Sequence, residues 1–251
     1  MKRSTKVILS LVIILLIAAI AWLGYGYYQK VFVKVQNPIV TIDIADYGQV
    51  KLELYPDKAP NTVANFVKLI NEGYYNGLTF HRTIPDFMIQ GGDKNGDGTG
   101  KTDFAIPGEF VANGYTKNDI SLSKGTLAMA RGDYTSLSPT LKSESYNSAG
   151  SQFFIMTKDN TSINGLYAAF GRVIEGQDIV DQIANVEVVT RDSNAETGVD
   201  KPVNPPVMTT VTVDTFGVDY GEPQRVEPFD YYSWMMKNYG LDSSQTIVPG
   251  E

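Results

Sequence analysis

The sequence predicts a mainly β protein: a closed eight-stranded antiparallel β-barrel capped by two α-helices, with a transmembrane helix ahead of it. Three observations lead there. Between residues 38 and 217, short runs that alternate apolar and polar residues are separated by Gly, Pro, Asn and Asp. Two segments in that region, starting at Pro60 and at Gln177, repeat their apolar residues at helical spacing instead. Near the start, Val7 to Leu23 carries no charge at all.

Taken in order, Lys2, Arg3 and Lys6 precede the uncharged run, and Trp22, Tyr25, Tyr27 and Tyr28 close it like an aromatic belt at a membrane surface. Residues 1–24 are therefore expected to be a signal-anchor, with the N-terminus cytoplasmic and the rest of the chain extracytoplasmic. Cleavage near Ala19-Ile20-Ala21, releasing a secreted protein, is the alternative. Residues 25–37 read as a spacer or an extra edge strand. Ile39 to Ala45 and Val50 to Tyr55 read as a hairpin around Asp46-Tyr47-Gly48. Pro60 opens a helix with Val63, Phe66, Val67 and Ile70 on one face, and Gly73 ends it. Two short strands flank Pro85.

The loop from Asp93 to Thr102 fits neither a calcium loop, which would need Glu where Phe104 stands, nor a phosphate loop, whose first glycine is replaced by Asn95. It is expected to be a glycine-rich turn. Strands are expected in Leu127–Arg131, Gly150–Thr157 and Tyr167–Ile174, with Asn164-Gly165 as a turn. The serine-rich segment 132–149 reads as a surface insertion, with shaping of a groove rim as the alternative. A second helix, Gln177 to Val186, turns Ile179, Val180 and Ile183 inward, and Val188 to Pro206 is a polar loop. Val207 to Phe216 is the last strand, expected to pair with the first. Residues 218–251 form an acidic tail with Tyr231, Tyr232, Trp234, Met235 and Met236, either a helix that docks on the domain or a partner site.

Composition narrows the chemistry. The 251 residues carry a net charge of -7 with no basic cluster after the first six, which argues against nucleic acid as a partner. There is no cysteine, so disulfides, thiolate chemistry and zinc-thiolate sites are excluded, and with one histidine a catalytic triad and a multi-histidine metal site have little to work with. No cofactor and no metal are expected.

Three stretches remain that point to a site: Phe80–Asp93 (FHRTIPDFMIQGGD), Leu127–Arg131 (LAMAR) and Gly150–Ile155 (GSQFFI). In the first, an arginine, two large apolar residues and an amide could line a small pocket for an apolar ring beside a carbonyl. Together, and in this order, the three resemble the cyclophilin-type peptidyl-prolyl isomerases. The resemblance spans roughly Asn37 to Gly217, which sets the domain expected at residues 38–217.

That resemblance implies catalysis of rotation about X-Pro bonds in exported or cell-surface polypeptides. Arg82 stands at the family's catalytic arginine, with Phe87, Gln90 and Phe154 also at catalytic positions. Met88, Ile163 and Tyr167 match the ring pocket, Gln152 a polar guide, and Ala130 and Arg131 the pair whose backbone meets the residue before proline. A non-catalytic module that binds proline-containing segments is the alternative reading. Two departures stand out: Ser162 replaces a rim tryptophan of many members, and Tyr167 replaces a histidine. The first implies weak binding of cyclosporin, the cyclic peptide that many members hold in this pocket. By strand alternation, His81 should point away from Arg82 and be structural.

Overall fold

The computed structural model describes residues 11–24, 36–189 and 200–240. The chain divides into two compact units, Met1–Gln36 and Asn37–Glu251. In the first, residues 11–24 form an exposed helix, α1. Among the described residues no helix is long and apolar enough to cross a membrane, so the expected transmembrane helix is not found. Its basic flank and three of its four belt aromatics lie outside the described residues, as does most of the spacer.

The second unit holds β1 (Ile39–Ile44), β2 (Gly48–Leu54), α2 (Pro60–Asn71), β3 (Thr79–Ile84), β4 (Met88–Asp93), β5 (Thr126–Met129), α3 (Lys142–Tyr146), β6 (Phe153–Met156), β7 (Ala169–Glu175), α4 (Gln177–Ala184), β8 (Met208–Asp214) and α5 (Tyr231–Tyr239). The strands form one curled antiparallel sheet in the order β3-β4-β6-β5-β7-β2-β1-β8. The last strand pairs with the first, as expected.

The expected closed barrel is not formed. Its two edges, β3 and β8, meet only at an isolated bridge between Thr79 and Val207 and at backbone bonds from Gly77, Phe80 and Met208. The reason lies in what else occupies those edges. Pro205 and Pro206 enter β8 without N–H groups to donate. The Thr83 N–H of β3 donates to the Asp200 carbonyl at 2.8 Å, and the Val211 N–H of β8 donates to the Asn76 side chain at 2.8 Å.

Alternation sends Val40, Ile42, Leu52, Leu54, Ile89, Leu127, Phe153 and Ile155 into the main core, all at most 1% exposed. Over it lies α2, whose Phe66 ring meets Phe153 and Phe170 edge-on at 5.4 and 5.0 Å. Ala59 offers this helix no side-chain cap; instead the buried Glu109 carboxylate accepts from Asn61 N–H at 3.1 Å and from Thr62 N–H and hydroxyl at 2.7 Å each.

The insertion 132–149 is folded, with Leu141 and Ser145 buried and the Ser145 hydroxyl accepting from the Tyr134 N–H at 2.8 Å. The tail docks as well, through the strap that precedes α5. Val226 pairs with Ala105, Gln224 exchanges two hydrogen bonds with Asn61, and Arg225 lies 3.6 Å over the Phe104 ring. The helix α5 itself buries no residue.

Candidate active site

The face of the sheet opposite the main core carries the site. Along β4 and β6, Met88 and Phe154 alternate with the core residues Ile89, Phe153 and Ile155, so they point the other way. There they join Leu122, Ala128, Met156 and Ala169 in a second apolar cluster, edged by Phe87, Ala130, Ile163 and Tyr167. Register then aligns the polar groups. Arg82 lies opposite Gln90, Gln90 opposite Phe154, and Phe154 opposite Ala128, giving one row across β3, β4, β6 and β5.

Above this row opens a cavity of about 640 Å³ lined by Arg82, Phe87, Met88, Gln90, Ala130, Arg131, Phe154, Ile163 and Tyr167. Nine of the ten residues named from the sequence thus share one cavity. The tenth, Gln152, lines a neighbouring cavity of about 230 Å³, and its side-chain oxygen accepts from the Gln90 amide at 2.9 Å. Its own amide donates to the Gly98 and Gly100 carbonyls at 3.2 and 2.9 Å, tying the glycine-rich loop to the site. The floor is apolar: Met88 is 2% and Phe154 6% exposed, and the Phe154 ring meets Tyr167 edge-on at 5.3 Å.

Of the cations that border the cavity, its two arginines are held differently. The Arg131 guanidinium is held among the rings of Phe110, Tyr146 and Tyr167 and donates to the Leu166 and Gly132 carbonyls at 3.1 and 3.2 Å. It braces the rim. Arg82 keeps a side chain that is 42% exposed, and its ion pair is a loose one, with Asp200 at 3.6 Å from Nε. Such a group is available to a ligand in the cavity.

His81 departs from the alternation expected of it. It is the extra residue of a bulge between Phe80 and Arg82, so it is buried and reaches the cavity wall beside Arg82. Neither ring nitrogen has a partner among the described residues, and burial pushes its pKa below the ordinary value. Ser162, on a short 3₁₀ turn, is not among the lining residues; its hydroxyl donates to Asn160 at 2.6 Å.

Residues 39–213 match the family model described as cyclophilin type peptidyl-prolyl cis-trans isomerase. The chain belongs to this family. A peptidyl-prolyl cis-trans isomerase B of Bacillus subtilis is 38% identical over 58% of this chain and 90% of its own length. A probable peptidyl-prolyl cis-trans isomerase of Brucella suis is 37% identical over 79% of this chain and 94% of its own. Among solved structures, a cyclophilin type isomerase of Cryptosporidium parvum superposes with a TM-score of 0.58 at 27% identity, covering 71% of this chain and 98% of that one. The same protein solved in the presence of the dipeptide Ala-Pro gives 0.57 at 28% identity. The curled antiparallel sheet with its helices is thus that of a cyclophilin.

Five further residues of this cyclophilin line the main cavity without having been singled out as site residues: His81, Asp97, Gly98, Thr99 and Lys201. The middle three sit on the glycine-rich turn, where the buried Asp93 carboxylate gathers the N–H groups of Asn95, Asp97 and Gly98. A glycine-rich loop beside a site motif was a usable signal for them. Lys201 comes from a distant loop and carried none.

Proposed function

We propose that this cyclophilin accelerates cis-trans isomerisation of X-Pro bonds in exported or cell-surface polypeptides, by desolvating the bond and stabilising its twisted form with Arg82. Rotation faces a barrier of roughly 18 to 20 kcal/mol because the amide loses resonance when it twists. No bond breaks and no proton moves. What must be supplied is a dry, ring-sized pocket and a group that interacts better with the twisted amide than with either planar one. In the twisted form the prolyl nitrogen regains a lone pair, and a guanidinium near it is stabilised more than beside the planar amide.

The observation that carries this reading is the register row: Arg82 and Gln90 stand next to Phe154 above an apolar floor, all fixed by strand pairing. Phe87, Met88, Phe154 and Ile163 hold the ring, and Gln90 with Gln152 guides the substrate backbone. Uncatalysed isomerisation takes tens to hundreds of seconds, slow enough to limit folding of exported chains. The basic N-terminus followed by an uncharged run supports an extracytoplasmic location, anchored at the membrane.

The test of substrate and place is twofold. Added protein should speed the slow refolding phase of a polypeptide limited by a non-native proline isomer. In intact cells, external protease should remove the domain while a high-salt wash leaves the full chain on membranes. An unchanged refolding phase, or a domain protected until the cells are lysed, overturns the corresponding half.

A further inference from the structure

Arg82 stands on β3, an edge strand, and pairing opposite Gln90 fixes its backbone. Pairing does not fix the guanidinium, which hangs on a long flexible stem with a side chain that is 42% exposed. Among the described residues its one ion-pair partner is Asp200, whose carboxylate lies 3.6 Å from Nε. Asp200 belongs to the loop before β8, far from β3 in sequence, and does not itself line the cavity.

The carboxylate sits on a backbone that is tied on both sides. Toward β3, the Asp200 carbonyl accepts from the N–H of Thr83, the residue after Arg82, at 2.8 Å. Away from β3, Val188 bridges to Pro202, the Val189 N–H donates to the Lys201 carbonyl at 2.8 Å, and the Val203 N–H donates to the Glu187 carbonyl at 2.9 Å. Pro202 itself is buried. Asp200 also holds a φ of 66 to 70° class that few side chains accept, at +70°, where Asp and Asn are the favoured residues besides glycine.

We propose that Asp200 is a positioning residue for the reaction: from outside the cavity it holds the Arg82 guanidinium over the register row, so that a substrate meets the charge already aimed. The inference rests on the isomerase reading above. In the free protein the pair is partly exposed and weak. Once a peptide covers the cavity and expels water, the same pair strengthens. The contact is made at Nε, on the stem side of the fork, and the terminal nitrogens carry no other ion pair among the described residues. They are left to face the twisted amide. Lys201 lines the same cavity, and its like charge disfavours an Arg82 that has lost its counter-ion.

The test uses Asp200→Asn in the full-length chain, alone and combined with Arg82→Ala. Asparagine accepts the same backbone conformation and keeps the carbonyl that Thr83 bonds, so only the charge is removed. Exchange spectroscopy on an Ala-Pro peptide gives kcat and KM. Asp200→Asn should lower kcat by about tenfold, short of the roughly 10²-fold that a 1 Å misplacement costs, and leave KM within about twofold. With Arg82→Ala already present, the same change should move the residual rate by less than about twofold, because its target is gone. A role confined to holding the loop would lower both backgrounds alike. Equal losses in both backgrounds, or an Asp200→Asn protein as fast as the wild type, overturn the proposal. An independent readout is the NMR order parameter of the Arg82 Nε–H group, which should fall in Asp200→Asn; an unchanged value overturns the positioning role whatever the rates. If the wild type turns over no peptide, the isomerase reading fails, and the order parameter still decides whether Asp200 holds the guanidinium.

Discussion

Replacing Arg82 with alanine should remove most of the catalysis and little of the stability. The stability side follows from how loosely Arg82 is held: its side chain is 42% exposed, and its ion pair with Asp200 spans 3.6 Å. A surface pair of that kind contributes about 0 to 1 kcal/mol, so the variant should fold and melt near the wild type. The catalytic side is larger. Once a peptide covers the cavity, the guanidinium works in a site whose floor is apolar, where losing one preorganised charge-stabilising donor costs about 2.7 to 4 kcal/mol. Because the Arg82 side chain is 42% exposed, the lower end applies, about 100-fold in kcat/KM. Arg82→Lys keeps the charge and loses the planar fork, so it should fall between the two. The assay is exchange spectroscopy on an Ala-Pro peptide, with circular dichroism to confirm the fold. A folded Arg82→Ala protein within threefold of the wild-type rate would refute the reasoning.

Three more outcomes are expected. His81 has its pKa lowered by burial first, with Asp93 and Asp97 raising it and Arg82 and Lys201 lowering it. Its stability contribution is therefore full above the unfolded pKa of about 6.5 and is lost as pH falls below it, while turnover, which moves no proton, stays flat across neutral pH. Urea midpoints and rates of wild type and His81→Gln through that range check both halves; a rate bell that vanishes in the variant would contradict the second. Glu109→Ala strips the three charge-assisted bonds at the start of α2 and should cost about 2 to 3 kcal/mol in a denaturation curve, an unchanged midpoint speaking against that capping role. Cyclosporin should inhibit weakly, because Ser162 offers no aromatic wall, and Ser162→Trp should tighten inhibition by about 30-fold or more. Tight inhibition of the wild type would overturn that.

Much of the sheet was legible because its code is local. Ile39 to Ile44, Gly48 to Leu54 and the pair around Pro85 announce themselves by alternation and by turn residues, and α2 by Pro60 and its apolar stripe. The candidate site residues came from the family resemblance of three motifs, and the structure gathers nine of the ten in one cavity because motif positions on neighbouring strands become one row once the strands pair. What failed is what depends on pairing itself. The bulge that turns His81 into the cavity wall is a property of the β3 and β4 register, invisible in a single strand. Barrel closure was misjudged because Asn76, just before β3, and Asp200, in the loop before β8, each reach across to bond the opposite edge strand, which neither strand's own pattern announces. For the insertion, surface loop or groove rim, and for the tail, docking helix or partner site, stayed open because nothing local says that Tyr134 and Phe229, 95 positions apart, stack on each other.

The reading that Arg82 and its pocket form a catalyst, and not merely a clasp for proline-containing segments, is tested most directly by two-dimensional exchange NMR. A soluble form beginning at Gln36 is added in catalytic amount to an Ala-Pro peptide. The expected result is exchange cross-peaks between cis and trans resonances on a sub-second scale, where the free peptide needs tens to hundreds of seconds. Resonances that shift on binding while exchange stays at the uncatalysed rate would contradict it.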